Sequence, residues 1–66
     1  MRKLTEREIA ILAAFQSEPT KEVARKFDVM PQSITDTLQR VYYKLGVSCK
    51  EDAIRVARKQ GYQIRN

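Results

Sequence analysis

Pro31 stands directly ahead of a run in which Ile34, Leu38, Val41 and Leu45 recur at spacings of four, three and four, and no other stretch constrains the chain as much. Apolar residues at that spacing line one side of an α-helix, whereas a strand presents alternate faces at every second position. Proline suits the first turn of a helix, where its missing N–H is not needed, and disrupts the interior. The pattern therefore predicts a helix over residues 31–45. Upstream, Val23, Ala24 and Phe27 share one face of a shorter helix predicted over residues 20–27, with Thr20 as its N-cap. Only Asp28, Val29 and Met30 separate the two, which forces a sharp bend. Aspartate at the bend tolerates left-handed backbone better than most residues that carry a side chain. Two helices joined in this way have the sequence form of a helix-turn-helix.

The remaining prolines and glycines, Pro19, Gly46 and Gly61, also fall between helical stretches. Thr5 followed by Glu8 fits a capping box, so a helix over residues 6–16 should bury Ile11, Leu12 and Phe15, with Ile9 and the alanines widening the stripe. Gly46 can take the left-handed position that ends the third helix, with Val47 packed beneath it. Ser48 and Glu51 form a second candidate capping box, opening a helix over residues 49–59 that carries Ala53, Ile54, Val56 and Ala57. Gly61 ends it, and residues 62–66 either dock or fray. The expected fold is all-α, a single four-helix domain spanning residues 1–66.

Composition excludes several classes. A chain of 66 residues buries too little surface for a deep catalytic pocket beside a core, and no enzyme is expected. Zero histidines and one cysteine remove the usual zinc ligand sets, the histidine-activated nucleophiles and any disulfide framework, so neither a metal nor a cofactor is expected. Thirteen Lys and Arg against eight Asp and Glu leave a net charge of +5, which favours polyanionic partners. The longest apolar run, residues 9–15, falls far short of the roughly 20 residues that span a bilayer. With no signal-peptide core at the N-terminus, the expectation is a cytoplasmic protein without membrane association.

A basic helix-turn-helix points first to double-stranded DNA. With the apolar stripe of the third helix facing inward, Gln32, Thr35, Asp36, Gln39, Arg40 and Tyr43 lie on its outer side. Gln matches adenine, Arg matches guanine, and Thr offers a hydroxyl and a methyl, which makes Gln32, Thr35, Asp36, Gln39 and Arg40 the candidate base contacts. Asp36 either accepts from a cytosine amine or orients Arg40 one turn on, the second being the favoured role. Candidate phosphate contacts are Thr20, Lys21, Arg25, Ser33, Tyr43 and Lys44. Cys49, read as lying just inside the fourth helix beside Lys50, has the setting of a stabilised thiolate, although a lone cysteine is more often an ordinary surface or packing residue.

The segments Leu4-Thr5-x-Arg7-Glu8, Lys21-Glu22-Val23-Ala24, Val29, Ser33-Ile34 and Val41-Tyr42-x-Lys44-Leu45-Gly46-Val47 resemble the LuxR/GerE-type DNA-binding domain over about residues 4–61. The resemblance implies a four-helix LuxR-type helix-turn-helix domain of a transcription regulator, with the third helix in the major groove. It also implies a homodimer on inverted-repeat DNA, joined through the fourth helix. The small Ala53 and Ala57, four apart, with Ile54 and Val56 make that helix's candidate seam in a weak dimer that DNA reinforces, the alternative being that all four pack on the first helix within one monomer. The chain departs from the family pattern at Asp28, where a turn glycine is usual, and at Met30, where a Ser or Thr cap is usual. It departs again at Thr35, Asp36 and Thr37 in the reading helix. Those departures motivate an alternative, a protein-interaction module that binds another regulator or RNA polymerase. The promoter-binding region of the polymerase specificity subunit shares the first three helices but does not account for the fourth.

Overall fold

The computed structural model describes residues 3–64, and among these every regular element is an α-helix. In chain order they are α1 (Glu6–Phe15), α2 (Thr20–Phe27), α3 (Pro31–Leu45) and α4 (Lys50–Lys59). The third is the hub: it packs against each of the other three, and α1 also packs on α2. Its stripe drives this arrangement. Ile34 and Val41 are fully buried, Leu38 nearly so, and Leu45 closes the edge of the same cluster. Ile11 and Leu12 of α1 and Val23 and Ala24 of α2 meet them.

The expected α1 cap is present in full. The Glu8 amide donates to Thr5 Oγ1 at 3.1 Å, and the Thr5 amide donates to Glu8 Oε1 at 2.8 Å. Glu8 shares a face with Ile11, Leu12 and Phe15, so its carboxylate is carried inward and is only 5% exposed. Lys44 meets it there, its ammonium donating to Glu8 Oε1 at 2.8 Å and to the Lys3 carbonyl at 3.2 Å. This pair fastens the first turn of α1 to the last turn of α3.

Two caps differ from the sequence expectation. Pro19, not Thr20, occupies the N-cap of α2: its carbonyl accepts from the amides of Glu22 and Val23, each at 3.0 Å, and Thr20 is already helical. A proline whose φ is held near −71° with an extended ψ ends the incoming loop, leaving Thr20 to begin the turn. At α4 the N-cap is Cys49, so the third helical residue after it is Asp52 and the Ser48–Glu51 box does not form. The end of α3 explains the shift. Gly46 is left-handed, the Val47 amide donates to the Tyr42 carbonyl at 3.0 Å, and Val47 packs on the core, which delays the next helix by one residue.

The bend before α3 forms as expected. Asp28 is left-handed at φ 57° and ψ 47°, the Val29 amide donates to the Ala24 carbonyl at 3.0 Å, and Val29 covers the core. Beyond α4 the tail docks: Ile64 is buried, the Leu4 amide donates to Tyr62 Oη at 3.1 Å, and Arg58 Nε donates to the Ile64 carbonyl at 2.9 Å. The last part of the dock-or-fray segment, residues 65–66, lies outside the described residues.

Asp28 holds a backbone region that disfavours a Cβ, and it places a carboxylate at a helix C-terminus, where the dipole repels it. Asp28→Gly should therefore raise the unfolding free energy by about 1 kcal/mol, read from the urea midpoint at unchanged slope.

Candidate nucleic-acid interface

The buried stripe of α3 leaves a ridge of polar side chains on the opposite side. Gln32, Asp36, Gln39 and Tyr43 stand in one row at helical spacing, flanked by Thr35 and Arg40, and all six are exposed. Tyr43, at 67% exposure, is one of two large apolar side chains that face solvent among the described residues. The other is Met30, 70% exposed at the N-cap of α3, where it supplies no side-chain cap.

Within this ridge Asp36 does not orient Arg40. Its carboxylate accepts from Gln32 Nε2 at 3.2 Å, one turn back instead of one turn on, and it makes no ion pair among the described residues. Both partners are four residues away, and the neutral Gln32 makes the contact. The Thr35 hydroxyl donates to the Pro31 carbonyl at 3.3 Å, and the Thr37 hydroxyl donates to the Ser33 carbonyl at 2.9 Å. Gln32, Thr35, Asp36, Gln39 and Arg40 thus share one exposed surface, with the Thr35 hydroxyl proton turned back onto the helix.

The candidate phosphate contacts divide. Lys21, Arg25 and Ser33 are exposed along α2 and the start of α3, and Thr20 is half-buried at the first turn of α2. Lys26 pairs with Glu18 at 2.7 Å, and Arg7 of α1 lies 5.7 Å from the centre of the Phe27 ring. Lys44 stands apart from the rest, since its ammonium is engaged by Glu8 and the Lys3 carbonyl and its side chain is only 21% exposed. In this fold Lys44 braces α3.

The Glu8 carboxyl shows the consequence. Burial alone would push its pKa up, but the Lys44 hydrogen bond, the Thr5 amide and the charges of Lys44 and Arg40 outweigh that and hold it below the ordinary 4.5. Tyr42, half-buried behind the ridge, has its phenol pushed up by burial and by the nearby Cys49 and Glu51. Cys49 itself is exposed at the N-cap position and not inside α4, and the Lys50 ammonium lies 5.2 Å from the centre of the Phe15 ring.

The α4 seam requires a correction. Ala53 and Ala57 are fully buried in the monomer's own core and cannot face a second copy. Two small residues four apart suit close packing of either kind, and here the chain's own core takes them. Ile54 leans on the core from one flank, and Val56 is half-buried on the other. Glu8 and Lys44 are what sequence reasoning missed as a pair. They stand 36 positions apart, and the only legible signal was a carboxylate on the apolar face of α1.

No cavity opens among the described residues, no cluster of metal-ligating side chains forms there, and no helix is long and apolar enough to cross a membrane. The left-handed bend between a basic helix and a helix with an exposed polar ridge defines a helix-turn-helix domain. Comparison with known families assigns it further: the sequence pattern of GerE, the bacterial regulatory proteins of the luxR family, matches residues 2–57, and the chain belongs to that family. It is therefore a DNA-binding domain of the transcription-regulator class. Neither the search of curated proteins nor that of solved structures returned a match.

Because a depressed carboxylate pKa stabilises the fold fully above the unfolded value, the Glu8 contribution should be complete above about pH 4.5 and disappear as pH falls through the lowered native value. Lys44→Ala should cost about 2 kcal/mol at pH 7 by leaving a buried carboxylate unpaired, and the deficit should shrink in acid once Glu8 is protonated, as read by urea melts across pH.

Proposed function

We propose that this chain binds DNA sequence-specifically as a transcription regulator, with α3 lying in the major groove and α2 bracing it against the backbone. The observation that carries this reading is the exposed ridge of Gln32, Thr35, Asp36, Gln39 and Arg40, set on a helix whose opposite side is locked into the core. A single helix fits the major groove, and those side chains match the donors and acceptors displayed there. Thr20, Lys21, Arg25, Ser33 and Tyr43 surround the ridge as phosphate contacts, while Lys44 holds α3 in position from behind. The net charge of +5 supplies the salt-dependent share of affinity.

In this reading two copies bind the halves of an inverted repeat. The seam is the exposed side of α4, where Val56 takes the place expected of the two buried alanines and Ile54 borders it. Occupying both half-sites links the subunits and strengthens a weak dimer. The second reading, a module that contacts another regulator or RNA polymerase, draws on the exposed Met30 and Tyr43, which give the ridge apolar ends.

Fluorescence anisotropy against a pool of random duplexes, with selection of bound sequences over a salt series, tests the proposal. A steep salt slope and an enriched inverted repeat are expected, with Arg40→Glu weakening binding at least about tenfold while helical circular dichroism is unchanged. A shallow slope without enrichment would favour the protein-contact reading. Val56→Glu should leave binding to an isolated half-site intact and reduce cooperative binding to the full repeat, as measured by gel shift on both duplexes.

A further inference from the structure

Resting on the DNA-reading assignment, we propose that Asp36 is a specificity-determining residue that selects cytosine at one position of each half-site. The case begins with where the protons of the reading ridge are. Asp36 as a carboxylate has none, and Thr35 spends its hydroxyl proton on the Pro31 carbonyl. Only the amide nitrogen of Gln32 can face a carboxylate, so the 3.2 Å contact gives one of its protons to Asp36 and leaves one donor beside its carbonyl oxygen. The outer side of the first two turns of α3 is thus dominated by acceptors. Beside Asp36 the only donor left in this row is the second Gln32 amide proton, and further donors come with Gln39 and Arg40, a turn along.

This ordering matters because the Asp36 charge is not neutralised within the chain. It makes no ion pair among the described residues, and Gln32 fixes one carboxylate oxygen without cancelling the charge. A charged acceptor in the major groove is repelled by guanine, whose edge is two acceptors, and by the thymine carbonyl. Adenine presents an amine but places its N7 acceptor alongside. Cytosine alone offers the N4 amine with no neighbouring acceptor on its own edge. The free oxygen of Asp36 accepts from that amine, and the Gln32 contact holds the carboxylate in place before DNA arrives, which lowers the ordering cost of binding. Gln32, with its remaining donor and its carbonyl oxygen, is aimed at a neighbouring base.

The test is selection of bound duplexes by the full chain and by Asp36→Asn, with salt-dependent anisotropy run on both. Asparagine keeps the size and adds donors, and Asp36 is exposed, so the fold is retained and circular dichroism verifies it. The wild-type chain should enrich cytosine over guanine by about fivefold or more at one position per half-site, and Asp36→Asn should lose that preference while the rest of the site is unchanged. A selected site in which the variant shows the same preferences as the wild type, or a wild-type site with no such cytosine, would overturn the role of Asp36 and leave DNA reading standing. Failure of the wild-type chain to bind any duplex would overturn both.

Discussion

A buried carboxylate organises this small domain. Glu8 lies on the apolar side of α1, where an unpaired charge would not be tolerated, and it is satisfied by the Thr5 amide and the Lys44 ammonium. One oxygen serves both purposes. It completes the cap of α1 and, through Lys44, anchors the far end of α3. The near end of α3 is fixed by the left-handed Asp28 and by Val29 in the core. A helix held at both ends and along its buried stripe can present its outer side in one orientation, which is what reading a groove demands.

The parts of the fold governed by local rules were legible in the sequence. The stripe of α3, the proline at its first turn, the left-handed bend at Asp28, the Thr5–Glu8 box and the Gly46 stop all follow from spacing and backbone preference. The cap rule pointed to Thr20 and Ser48, yet Pro19 and Cys49 stand at those N-caps with no side-chain cap bond, because the preceding loops set where each helix begins. Where two positions satisfied the same rule, sequence alone could not choose between them. Asp36 had a polar neighbour four residues away on either side, and the choice fell to Gln32. Ala53 and Ala57 suited a monomer core and a dimer seam equally well until the packing of α4 on α3 resolved it. The link between Glu8 and Lys44 depends on how distant segments meet, and no local pattern encodes it.

These outcomes change the functional geography without changing the class of protein. Lys44 supports α3 from behind, and among the basic candidates Lys21, Arg25 and Arg40 are the ones left exposed. The reading ridge becomes asymmetric, rich in acceptors at its start and in donors further along. An acidic residue in this helix, which looks like an obstacle to binding a polyanion, is the one on which the proposed cytosine preference rests, with Gln32 holding its carboxylate in place. On α4 the charged Glu51, Arg55, Arg58 and Lys59 are exposed while Ile54 and Val56 are half-buried, a small surface that suits the proposed association on DNA.

The most direct measurement of the central claim is a titration of the isotope-labelled chain with a selected duplex, followed by amide and side-chain NMR shifts. If the ridge meets DNA, the largest changes fall on Gln32, Thr35, Asp36, Gln39 and Arg40 and on the first turn of α2, with the Lys44 ammonium still paired to Glu8. Changes concentrated on α1 or α4 with α3 silent would contradict it, because the ridge would then not be the surface that meets DNA.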